Sequence, residues 1–110
     1  MRFFVVDVHT AFMELTQLPT KYREDIEAAV ALLKREGCVA VYLFGSMVTG
    51  HIHEHSDIDL GIKGLPGQKF FSVYSKLYGA FATEIHLIDF DLNEKMFTLL
   101  NNLGEMVQIG

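Results

Sequence analysis

Two short apolar runs, residues 39–44 and 58–62, constrain the fold most strongly. The first is rich in β-branched and aromatic residues and ends at Gly45. The second begins just after Asp57 and carries Asp59 within it. Apolar runs of this length, bounded by glycine and polar residues, read as buried strands. The stretch joining them, with room for a helical turn and a loop, is too short for the usual helical crossover between parallel neighbours. The two strands are therefore expected to be antiparallel.

Periodicity extends the reading along the chain. Tyr22, Ile26, Ala29, Val30 and Leu33 fall on one helical face, so a helix is expected over about 20–36. Glu24 and Asp25 near its start and Lys34 and Arg35 near its end suit the helix dipole, and Gly37 suits its C-terminal stop. Strands are expected over about 38–44 and 57–63, with a helical turn at 46–50 and a loop or irregular extension through 51–56. The glycines and proline of 64–67 break the chain. A helix over about 68–80 follows, whose aromatic stripe of Phe70, Tyr74, Tyr78 and Phe81, with Leu77, is expected in the core. A third strand is expected over 83–89, with Ile85 and Leu87 on one face and Glu84, His86 and Ile88 on the other. Asp91 and Glu94 have the spacing of a capping box. Leu92, Met96, Leu99, Leu100 and Leu103 mark a last helix, Gly104 ends it, and 106–109 form a short final strand. Residues 3–8 suit a further strand in an N-terminal arm, 1–18, that covers the domain or pairs with another subunit. The expectation is an α/β (α+β) fold in one domain, 1–110: a small mixed β-sheet covered by helices.

Composition removes several function classes. Half of the 110 residues are apolar and 21% are charged, which argues against disorder. The net charge of −5 argues against a broad basic surface that grips nucleic acid by releasing counterions. Cys38 is the only cysteine, so no internal disulfide can form, which suits a reducing cytoplasm. No apolar run is long enough to span a membrane. Asp7 and His9 interrupt the apolar start in a way a signal peptide would not. The expected location is cytoplasmic.

Chemistry concentrates between residues 45 and 59. Asp57 and Asp59 stand two apart on a strand and so share a face. Paired carboxylates without a basic residue between them repel, and a hard divalent cation such as Mg²⁺ relieves the repulsion. Gly45-Ser46 ends the preceding strand in a turn whose backbone N–H groups can cradle a phosphate. His51, His53 and His55 alternate, a pattern that can present three imidazoles to zinc, but a polar loop is expected there rather than a closed zinc site. Lys63 and Lys69 read as solvated charges as readily as phosphate contacts.

Gly45-Ser46, ten intervening residues and then Asp57-x-Asp59 resemble the signature of the DNA polymerase β-like nucleotidyltransferase superfamily, and the short chain resembles its minimal members. Gly50 and Ser56 also fit, and the resemblance covers roughly residues 20–109. It implies the nucleotidyltransferase fold and the following chemistry. Asp57 and Asp59 hold Mg²⁺ bound to a nucleoside triphosphate, with Gly45, Ser46 and Ser56 as nucleotide contacts. A nucleoside monophosphate, AMP from ATP, then passes to an acceptor hydroxyl. Minimal relatives often act with a HEPN-family partner as the antitoxin half of a toxin–antitoxin pair, so a protein acceptor, a partner chain and self-association are expected. The alternative is a nucleotide-binding or antitoxin-like module that has lost transfer. Two departures keep that alternative open. Met47 stands where many relatives carry arginine. The third carboxylate, a metal ligand and acceptor base in the superfamily, falls in register on His86, with Asp89 as a second acid. Glu84 shares the face of His86 and has the longer reach, so Glu84 is expected as the third catalytic acid and metal ligand, with His86 beside it.

Overall fold

The computed structural model describes residues 18–53 and 55–110. Strand β1 (Ala40–Phe44) lies inside a four-stranded sheet of order β3-β2-β1-β4. It pairs antiparallel with β2 (Ile58–Lys63) and with β4 (Met106–Gln108). β2 pairs in parallel with β3 (Ile85–Asp89), and a helix lies in the connection between them, as a parallel pair requires. The sheet is thus mixed, and the two motif strands are antiparallel, as expected.

Strand alternation sorts the side chains between two faces. Val41 and Leu43, then Ile58, Leu60 and Ile62, then Ile85 and Leu87 face one side and are buried. Helix α1 (Thr20–Arg35) covers them with Tyr22, Ile26, Ala29, Val30 and Leu33, the expected stripe. Met47 and Val48 of the one-turn helix α2 (Ser46–Thr49) and Val73 and Leu77 of α3 (Phe70–Leu77) complete this core. Each fully buried aliphatic side chain contributes about 1.5–3 kcal/mol.

The opposite face is covered differently. Tyr42, Phe44, Ile88, Phe90 and Met106 pack with Met96, Phe97 and Leu100 of α4 (Glu94–Leu103). Phe90 is fully buried, and its ring fills the space that a Cβ at Gly61 would need. The ring of Phe97 stands edge-on to Tyr42 and Phe90, and Lys63 Nζ lies 3.7 Å from its centroid. Asp59, Gly61 and Lys63 of β2, with Asp57 just before it, face this side, so the aromatic cluster takes one end and the carboxylates the other.

Three local expectations are corrected. Helix α3 is shorter than 68–80, being preceded by a 3₁₀ turn, Gly67–Lys69, and stopped at Tyr78, whose backbone is extended. That stop breaks the phase of the aromatic stripe. Val73 and Leu77 are buried, whereas Phe71 and Tyr78 are 81% and 73% exposed and Phe70, Tyr74 and Phe81 only partly covered. The capping box is not formed: Asn93 precedes α4 without a side-chain cap, and Asp91 Oδ2 instead accepts a 2.8 Å hydrogen bond from Gly64 N. Asp25, beyond its place near the start of α1, accepts a 3.0 Å bond at Oδ2 from Thr83 N. The strand at 3–8 and nearly all of the arm, 1–17, lie outside the described residues.

Candidate active site

Gly45 is where β1 turns into α2. Its backbone has φ 76° and ψ −152°, a combination that side chains other than hydrogen resist. A Cβ there would also overlap the Asp59 carboxylate at Oδ2. One residue thus satisfies two demands, the turn and the close approach of an acid. The first N–H groups of a helix lack intrahelical acceptors, and in α2 these belong to Ser46 and Met47, next to Asp59. Ser46 is partly exposed, whereas Met47 is fully buried in the core. Packing therefore occupies Met47, and its side chain is not available in the role that an arginine would take.

Register delivers the rest. Asp59 lies opposite Phe44 on one side and His86 on the other. Pairing continues one step beyond β3, since Ile58 N donates to Glu84 O at 3.0 Å, which keeps Glu84 alongside β2. The Asp25–Thr83 bond holds the segment just before it. His86 then stands among three carboxylates. Its Nδ1 is 3.3 Å from Asp59 Oδ1, and its Nε2 is 3.6 Å from both Asp57 Oδ2 and Glu84 Oε1. Side-chain exposures are 39% for Asp57, 27% for Asp59, 64% for Glu84 and 46% for His86, so every member is reachable from solvent.

Burial pushes the Asp59 carboxyl above the usual aspartate value, His86 opposes that shift, and the neighbouring charge of Asp57 adds to it. A cation at this place would relieve both the burial cost and the repulsion. The donor set fits one: ligand atoms of Asp57, Glu84 and His86 all lie within 4.8 Å of one another. Asp57 and Glu84 also line an open cleft of about 380 Å³ with Lys21, Tyr22, His55, Ser56, Ala82 and Thr83. That size falls in the range of about 300–1,000 Å³ usual for small-molecule sites.

The remaining sequence candidates lie as follows. Ser56 is buried at the cleft, and its Oγ accepts a 2.8 Å bond from His53 N, closing the 53–56 turn. Tyr22 OH donates to His53 O at 3.3 Å and ties that turn to α1. His51, His53 and His55 are exposed and belong to no metal-ligating group among the described residues. Lys63 rests on Phe97, and Lys69 Nζ donates to Glu36 O at 2.9 Å, so both are engaged away from the carboxylates. Asp89 is buried at the strand end, where Oδ1 accepts from Asp91 N at 2.9 Å. The sequence reading missed Lys21 and Asp25. Lys21 carries no motif signal, and Asp25 looked like any acid near a helix start.

A family model described as "Polymerase beta, Nucleotidyltransferase" matches residues 20–105. No curated protein and no solved structure matches the chain significantly. The matched span runs from the start of α1 past the end of α4 and includes every residue of the carboxylate–histidine cluster. The chain belongs to the polymerase β nucleotidyltransferase family.

Proposed function

We propose that this protein transfers a nucleoside monophosphate, AMP from ATP, to an acceptor hydroxyl in a reaction that depends on a divalent cation, Mg²⁺ at the triphosphate. The observation that carries this is the convergence of Asp57, Asp59, Glu84 and His86 beside the Gly45-Ser46 turn. Asp57 and Asp59 would hold the cation that accompanies the triphosphate. When bound, it supplies charge neutralisation on the phosphates. The N–H groups at the start of α2, with Ser46 and Ser56, orient the phosphate chain. Glu84, at the mouth of the cleft, takes the proton of the acceptor hydroxyl as that oxygen bonds to the α-phosphorus and pyrophosphate leaves. The acceptor is a partner protein, as in HEPN-paired toxin–antitoxin systems, or a second copy of the chain, and the location is cytoplasmic.

The test is incubation with α-labelled ATP, Mg²⁺ and cell lysate. Label should enter an acceptor, and it should be lost with a chelator or in Asp57→Asn and Asp59→Asn. Glu84→Gln should largely abolish transfer while sparing ATP binding, and His86→Ala should do less. Full transfer by Glu84→Gln would remove Glu84 from the role of base. A second reading, a nucleotide-binding module without transfer, is favoured by buried Met47 and by an imidazole at the third-acid register. ATP binding with no labelled acceptor would select it.

A further inference from the structure

We infer that the position enclosed by Asp57, Glu84 and His86 is a mixed oxygen–nitrogen cation site that takes Mn²⁺, or another divalent 3d ion, in preference to Mg²⁺, with His86 Nε2 as the discriminating ligand. The inference deepens the proposed function, and the use it gives the site rests on that reading.

Three observations carry it. His86 Nε2 lies 3.6 Å from both Asp57 Oδ2 and Glu84 Oε1. Ligands about 2.0–2.2 Å from one metal stand about 3 to 4 Å apart, so only small side-chain rotations separate this arrangement from coordination. The other ring nitrogen, Nδ1, lies 3.3 Å from Asp59 Oδ1. A carboxylate on the far nitrogen is the usual means of fixing the tautomer and orientation of a metal-binding imidazole, and it makes the free nitrogen a better donor. Asp59 also lies close against Gly45, where a Cβ would overlap its carboxylate. The identity of the donors then sets the preference. Mg²⁺ favours oxygen and keeps its waters; imidazole suits Zn²⁺, Ni²⁺ and Fe²⁺ best, and Mn²⁺, the 3d ion closest to Mg²⁺ in its liking for oxygen, still accepts a nitrogen donor more readily than Mg²⁺ does.

The test uses the metal alone. Mn²⁺ is added to the full chain and pulsed electron paramagnetic resonance reads ¹⁴N coupling, while calorimetric competition reads the Mn²⁺ over Mg²⁺ affinity ratio. Wild type should show the coupling and His86→Asp should lose it. The ratio should fall about 10-fold in His86→Asp, because the exchange removes the nitrogen donor that favours Mn²⁺ and supplies an oxygen that Mg²⁺ accepts as well. Mn²⁺ bound without ¹⁴N coupling, a coupling that survives in His86→Asp, or an unchanged ratio would each overturn the inference. If His86→Asp does not fold, Glu84→Gln replaces it: weakened Mn²⁺ binding with the coupling retained supports the site, and undiminished binding overturns it. ATP binding is followed in the same samples. ATP bound without ¹⁴N coupling overturns this inference and leaves the nucleotidyl reading standing. Coupled Mn²⁺ with no ATP binding does the reverse.

Discussion

Asp59 is held in a place that suits its neighbours better than its charge. Burial raises its carboxyl above the ordinary aspartate value of 3.8, and His86 offsets only part of that cost. The folded state therefore binds this proton more tightly than the unfolded state does. The stabilising contribution is full below the ordinary value and is lost as pH rises through the raised one. In chelator-treated protein, Asp59→Asn should consequently melt higher than wild type near neutral pH, and the gap should close as the solution is acidified below about pH 4. Thermal melts across that range decide it; a wild type more stable at neutral pH would contradict the burial argument. Gly45 shows the complementary dependence. Gly45→Ala meets both the positive φ and the Asp59 carboxylate. It should cost about 1–3 kcal/mol from backbone strain, measurable by denaturant titration, and should weaken ATP binding further by displacing Asp59.

Between elements, the cleft depends on ties that carry no motif. The Asp25–Thr83 bond links α1 to the segment presenting Glu84, and the Tyr22–His53 bond links α1 to the turn carrying Ser56. Helix α1 thus braces both walls of the cleft while its apolar stripe builds the core. Asp25→Ala should cost about 1 kcal/mol of stability, the net worth of one such bond. It should also accelerate amide exchange at Thr83, and transfer should fall more than ATP affinity because Glu84 is the group left less constrained. Equal protection of Thr83 in both proteins would show that the tie does not hold the segment.

Across the molecule, the family match spans residues 20–105 and leaves the N-terminal arm outside it. Removing residues 1–15 should therefore leave the thermal transition cooperative and change the association state more than the fold, as read by calorimetry and sedimentation. A non-cooperative melt would show that the arm contributes to the core. Among the described residues, no helix is long and apolar enough to cross a membrane. Large apolar side chains nevertheless remain exposed on α3, at Phe71, and on α4, at Leu99 and Leu103.

What the sequence determined by itself was local in origin. The spacing of Tyr22, Ile26, Val30 and Leu33 defined the buried face of α1, the short link after Phe44 made β1 and β2 antiparallel, and alternation put Asp57 and Asp59 on one face. These depend on helical and strand periods and on how far a short chain can reach. What only the tertiary structure decided depends on contacts between distant segments. The parallel register of β3 on β2 sets His86 opposite Asp59, brings Glu84 and His86 to Asp57, and leaves Asp89 opposite Ile62. Tyr78 is exposed despite its apolar spacing, because α3 ends where Tyr78 turns extended. Period records which residues share a face; which residues of two strands meet depends on register, and where no tight turn joins the strands, as between β2 and β3, packing of the buried face settles it.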